Sequence, residues 1–256
     1  MAILEEARAV GFKQAKFYFM IGLPVPASAL DEARAIVEYV DRLCARVPSM
    51  QITVNVGTFV PKPHTPFQWC RQLGEDEALE AISELRSALR RRKNVKVSYH
   101  SPFASLLEGV LARGAERAGD LILEAFQRGA RLDAWEAHFD RELWRSVLEA
   151  AAWPVVETAC AGRSADAELP WDDISVRVAK HELRREFERA MAGEGTAGCM
   201  EDCGHPCGAC TDEARVSSEG GTASAPCADP RPAPVERGLA VERRSTYPSG
   251  RIVIRY

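Results

Sequence analysis

The chain has 256 residues, a formal net charge of −4 and 46% apolar residues, enough to bury a core without disulfides. A charge so near neutral gives no global electrostatic reason to bind nucleic acid or a membrane surface. The first residues, Ala2-Ile3-Leu4-Glu5-Glu6, carry no basic and apolar signal pattern, and no apolar run is long enough to span a bilayer, so a cytoplasmic protein is expected.

Residues 16–21 read as a strand, aromatic and uncharged after Lys16, which ends at Gly22-Leu23-Pro24. Residues 30–46 predict a helix: Leu30, Ala33, Val37, Val40 and Leu43 recur at helical spacing, and Asp31 and Glu32 suit the first turn. Residues 51–60 predict a second strand, where Ile52, Val54 and Val56 alternate with Thr53, Asn55 and Gly57. Pro61, Pro63 and Pro66 then force an irregular loop. Residues 75–92 predict a second helix, acidic at its start and closed by Arg90-Arg91-Arg92-Lys93, whose charges complement the negative end of the helix dipole. Residues 95–99 predict a third strand. The order β-α-β-α-β implies parallel strands with right-handed crossovers.

Residues 101–152 read as helical, with Trp135, Phe139 and Trp144 as core anchors. Residues 170–192 predict an entry turn and one more amphipathic helix. A cysteine-rich stretch follows, and then a segment rich in Ser, Gly, Ala and Pro that reads as a flexible linker. Residues 251–256 alternate like a strand. Two or three strands make neither a barrel nor a broad sheet. The chain is therefore expected to be a fragment, or to complete its sheet with a second polypeptide.

Of eight cysteines, Cys199, Cys203, Cys207 and Cys210 lie within twelve residues. In a reducing compartment such a cluster points to metal rather than disulfides. Four thiolates must converge to about 2.3 Å from a zinc ion, and Gly204, Pro206 and Gly208 allow the tight turns this needs. Zinc and an iron–sulfur cluster both accept four cysteines, so spacing leaves the two open. His205 lies inside the loop and could replace one thiolate.

Several motifs resemble a known family in order. Phe17-Tyr18-Phe19-Met20-Ile21-Gly22-Leu23-Pro24 resembles the fifth strand of a radical S-adenosylmethionine (SAM) barrel. The stretch from Ile52 through Pro61-Lys62-Pro63-His64-Thr65-Pro66-Phe67-Gln68-Trp69 resembles the sixth strand and the loop beyond it. Leu111-Ala112-Arg113-Gly114, Gly129-Ala130-Arg131-Leu132-Asp133-Ala134-Trp135 and Pro170-Trp171-Asp172-Asp173-Ile174 match later landmarks. Together they resemble the downstream part of the uncharacterised radical SAM proteins that carry an N-terminal cobalamin-binding-type domain. Where that family has an acidic residue soon after Gly-Leu-Pro, this chain has Val25-Pro26-Ala27; where it has Asp after Arg-Gly, this chain has Ala115.

The resemblance implies an α/β fold in which residues 1–100 are the C-terminal part of a radical SAM (βα) barrel. Residues 101–192 would be a helical extension, 193–212 a small cysteine-rich metal module, 213–245 the linker and 246–256 the start of a following domain. It also implies that Gly22, Leu23 and Pro24 lie near the amino-acid end of SAM, and Thr58, Phe59 and Pro61 near its adenine. In an intact relative, a [4Fe–4S] cluster held by three cysteines reduces SAM to a 5′-deoxyadenosyl radical, which abstracts hydrogen from a substrate. Cys203, Cys207 and Cys210 have the spacing of that triad, yet they follow all the strands instead of the first one. The resemblance therefore implies a second, auxiliary [4Fe–4S] or zinc site at Cys199, Cys203, Cys207 and Cys210, in a chain that lacks the first. The rival expectation is a non-enzymatic zinc-binding module for a protein or RNA partner.

Overall fold

A computed structural model describes residues 2–196 and the strand at 251–254. The chain divides into two units: Met1–Pro63, Phe67–Pro170 and Tyr247–Tyr256 form the first, and His64–Pro66 with Trp171–Thr246 the second. The first unit opens with a short helix, α1 (Ala2–Ala9), and then alternates β1 (Gln14–Ile21), α2 (Ala29–Arg46), β2 (Gln51–Thr58), α3 (Glu75–Leu89) and β3 (Val95–Tyr99). The fold is mixed α/β with parallel strands. β2 lies between β1 and β3, and β4 (Arg251–Ile254) adds in parallel to the other edge of β1, giving the order β3-β2-β1-β4.

Local chemistry sets these boundaries. Ser28 caps α2 by accepting the Asp31 N–H at 3.1 Å, and the Asp31 carboxylate accepts the Ser28 N–H at 3.2 Å, a reciprocal capping box. Glu77 reaches back to the Gly74 N–H at 3.0 Å at the start of α3. That helix stops at Leu89, short of the expected Arg92; the Arg92 side chain instead turns to Asp41 on α2, at 2.8 Å. Sequence periodicity did not announce α1 or the short α7 described below.

Alternation along the strands divides the sheet into two faces. Ala15, Phe17, Ile21, Ile52, Val54 and Val56 are buried with Leu43 of α2 and with Ala78, Ala81, Ile82 and Leu85 of α3. Phe17, Phe19 and Tyr39 add ring contacts with centroids 5.9–6.3 Å apart. Lys16, Tyr18 and Met20 of β1, Thr53, Asn55 and Gly57 of β2, and Lys96 and Ser98 of β3 fall on the opposite face.

Four further helices belong to the same unit: α4 (Pro102–Arg113), α5 (Arg117–Gln127), α6 (Arg141–Ala150) and α7 (Val155–Cys160). Phe103, Leu107, Val110, Leu121, Trp144, Val147 and Ala159 form their core, with Phe139 packed against it. Arg145 of α6 binds both carboxylate oxygens of Glu75 at 2.8 Å, at the start of α3, and lies over the Phe103 ring at 4.4 Å. Residues on both sides of position 100 thus share one unit. Trp144 is the core anchor expected of it, but Trp135 is not: its side chain is 67% exposed. The chain before it turns through Gly129 and Leu132, which both have positive φ, 108° and 58°.

In the second unit, α8 (Lys180–Met191) is the amphipathic helix expected there. Its buried Glu182 pairs with Arg185 at 2.5 Å, and Lys180 pairs with Asp172 at 2.5 Å. No described helix is long and apolar enough to cross a membrane.

Candidate functional site at the carboxyl ends of the strands

Parallel register brings two of the expected segments together. Ile21 stands opposite Thr58, and the Phe59 N–H donates to the Ile21 carbonyl at 2.9 Å. The Gly22-Leu23-Pro24 turn and residues 58–61 therefore lie side by side where β1 and β2 end, the edge at which open α/β sheets place ligands.

Gly22 has φ +77°, and a Cβ there would stand 2.9 Å from the Leu73 Cβ. Both the conformation and the space demand glycine. The Glu32 carboxylate, in the first turn of α2, accepts the Gly22 N–H at 2.5 Å and the Leu23 N–H at 3.0 Å. Burial raises the Glu32 pKa, while its two amide bonds pull it down. Both amides are directed at Glu32 and the Leu23 carbonyl accepts the Val25 N–H at 2.8 Å, so the carbonyls of Gly22 and Pro24 are the ones the turn can offer a ligand.

On β2, Thr58 is 8% exposed and its Oγ1 is buried without a hydrogen-bond partner. Its parity places the side chain on the α2/α3 face. The Phe59 ring meets Phe67 edge-on, with centroids 6.0 Å apart, and Pro61 is buried. Lys62 pairs with Glu108 on α4. His64, set between prolines, has φ +56°.

Two other sequence landmarks meet on a buried arginine. Arg113, at the end of α4, is 1% exposed. Its Nη2 donates to the Ala161 carbonyl at 3.0 Å and to the Gln68 carbonyl at 3.5 Å. Arg163 donates from its backbone to the Trp69 carbonyl at 2.8 Å and from its side chain to the Arg113 carbonyl at 2.9 Å. Gln72 donates to the Ser105 carbonyl at 2.7 Å and packs where a Cβ on Gly109 would clash at 1.7 Å. Burial, reinforced by Arg163, lowers the Arg113 pKa to about 10. This junction anchors residues 68–73, the segment that packs on Gly22. The sequence marked Leu111-Ala112-Arg113-Gly114 as a landmark, but not that this arginine, closing the apolar run Val110-Leu111-Ala112, is buried. Nothing local in the sequence pointed to the Glu32 contact.

Among the described residues, no group of three or more His, Cys, Asp or Glu side chains could hold a metal ion. Cys199, Cys203, Cys207 and Cys210 lie outside the described residues. Cys44, Cys70 and Cys160 are buried free thiols. Burial raises all three pKa values, that of Cys70 to about 11, which keeps them protonated and poor as ligands or nucleophiles.

No known family model matches the chain, and no solved structure matches it. A protein of Methanocaldococcus jannaschii, named as uncharacterised, is 21% identical over an alignment of 155 residues that covers 57% of this chain and 33% of that protein. The chain thus spans about a third of the length of the curated relative it matches.

Proposed function

We propose that this chain is the downstream part of an iron–sulfur protein of the radical SAM superfamily, acting on a substrate that its sequence does not name. One observation carries the reading: the Gly22-Leu23-Pro24 turn and residues 58–61 are neighbours at the carboxyl ends of parallel strands, joined by the bond from Phe59 to Ile21. A radical SAM barrel would hold its nucleotide cofactor at that edge, with β1 and β2 as two of its strands. A second polypeptide supplying the remaining strands is the partner this reading calls for, in a cytoplasmic setting.

The residues present suit SAM in part. The Glu32-bound turn offers the carbonyls of Gly22 and Pro24, which suit the ammonium of the amino-acid end better than its carboxylate. The backbone of Thr58 and the Phe59 ring stand beside that turn, the neighbourhood expected of the adenine, while the Thr58 hydroxyl is buried on the α2/α3 face. Four thiolates at Cys199, Cys203, Cys207 and Cys210 have the donor chemistry for a [4Fe–4S] cluster and equally for zinc. A bound cluster supplies electrons one at a time. Glu32 holds the turn, Leu73 backs it, and Arg113 anchors the segment behind it.

The test is anaerobic purification of the full chain with metal and sulfide analysis. An iron–sulfur chain is brown and absorbs broadly near about 400 nm, the thiolate-to-iron charge-transfer region. A colourless chain with one zinc each and no calorimetric affinity for SAM would overturn the reading in favour of a zinc-binding module.

A further inference from the structure

The sheet face opposite α2 and α3 is polar in consecutive rows. The register aligns Lys16, Thr53 and Lys96 across β1, β2 and β3, and aligns Tyr18, Asn55 and Ser98 in the next row toward the carboxyl ends. Lys16 and Tyr18 are half-buried and Lys96 is exposed. The Lys16 Nζ lies 4.7 Å from the Tyr18 ring centroid, leaning toward the Asn55 row. Neither lysine has a carboxylate partner among the described residues.

Asn55 sits at the centre of this face and is only 9% exposed. Its Nδ2 donates to Ser98 Oγ at 3.0 Å, and Ser98 Oγ donates to the Val54 carbonyl at 3.4 Å. That leaves Asn55 Oδ1 buried with no donor. A buried acceptor without a partner is a standing cost of about 1–3 kcal/mol by general experience, and it asks for a group that supplies an N–H or O–H.

Parallel sheets covered by protein on both sides read as apolar on both faces. The α2/α3 face does so; this one carries Lys, Tyr, Thr, Asn, Ser and Lys. Its chemistry therefore suits a polar ligand better than a packed layer of side chains. Neighbouring strands lie about 4.8 Å apart, so the Cα atoms of Lys16 and Lys96 are about 10 Å apart. Two long, mobile ammonium groups can converge from there on one anionic group above Thr53.

We propose that this face binds a small anionic molecule. Its phosphate or carboxylate meets Lys16 and Lys96, and an adjacent hydroxyl or amine donates to Asn55 Oδ1. The inference goes beyond the cluster reading, stands on the sheet alone, and holds whether the distant cysteines take iron, zinc or nothing.

The test is calorimetric titration of the full chain with glycerol 3-phosphate, glycerate and neutral glycerol. The phosphate and carboxylate arms show which anion the site takes. Binding by at least one of them, and none by glycerol, is expected. Lys16→Met and Lys96→Met should each weaken that binding about tenfold or more, the loss of one charge-assisted hydrogen bond. Asn55→Asp, which puts a carboxylate opposite the anion, should weaken it further. Lys93→Met, outside the face, should leave it unchanged. Binding that survives in both lysine variants, binding equally lost in Lys93→Met, or no binding of either anion would overturn the proposal. Should Asn55→Asp fail to fold, the two lysine variants still decide the matter. A brown chain without anion affinity would sink this inference alone; a colourless chain that binds the anion would sink the cluster reading alone.

Discussion

On the side that meets α2 and α3, the strands present Ala15, Phe17, Ile21, Ile52, Val54 and Val56, all buried. On the other side the same strands present Lys16, Tyr18, Thr53, Asn55 and Ser98. Every backbone group is shared between the two faces, so the contrast comes from side chains alone. The first face holds the fold together through apolar burial. The second keeps a cation row and an orphaned carbonyl, features that add little stability and suit binding. The comparison suggests that stability and function are divided by strand parity.

The comparison breaks most visibly at neighbouring positions of β1. Phe17→Ala removes a ring that is 1% exposed and touches Phe19 and Tyr39. It should cost about 3–5 kcal/mol, whereas Tyr18→Ala should cost about 1 kcal/mol or less; urea denaturation of both variants reads the difference. Similar losses at the two positions would erase the distinction between faces.

A smaller effect is expected where the helical region meets α3. Glu75→Gln breaks the two-pronged contact with Arg145 and should destabilise the unit by about 1–2 kcal/mol, measured by the same denaturation. Smaller again is Ala115→Gly. Ala115 has φ +57°, a left-handed conformation that glycine adopts freely, so the change should stabilise by about 0.5 kcal/mol despite the extra freedom of the unfolded chain.

The subtlest effect concerns pH. Burial raises the folded pKa of Glu32 above the ordinary 4.5, so the folded chain holds this proton more tightly than the unfolded one. The stability contribution is complete below 4.5 and is lost as pH rises through the raised value. Compared with Glu32→Gln, the wild-type chain should lose stability over that window, followed by denaturation from acid to neutral pH. A constant difference between the two would contradict the assignment.

Much of the α/β architecture was legible in the sequence because its signals are local. The alternation of Ile52, Val54 and Val56 and the helical spacing of Leu30, Ala33, Val37, Val40 and Leu43 each sit within one element. The polar side of β2 was visible in the same alternation. That Lys16 and Lys96 flank Thr53 depends on register between strands, which no local pattern encodes. The same holds for Gly22, whose need for glycine comes partly from Leu73, and for Arg113, buried against carbonyls of Gln68 and Ala161. Trp135 misled for a different reason. An aromatic ring signals burial on average, and the positive φ at Leu132 in the turn before it leaves little trace in residue type.

The central claim is that Cys199, Cys203, Cys207 and Cys210 hold a metal centre, and differential alkylation tests it most directly. The anaerobically purified chain would be treated with iodoacetamide before and after chelation, then mapped by mass spectrometry. These four cysteines should resist labelling until the chelator removes the metal, while the buried Cys44, Cys70 and Cys160 should resist in both states until the chain is unfolded. Immediate labelling of all four in the untreated chain would contradict that claim.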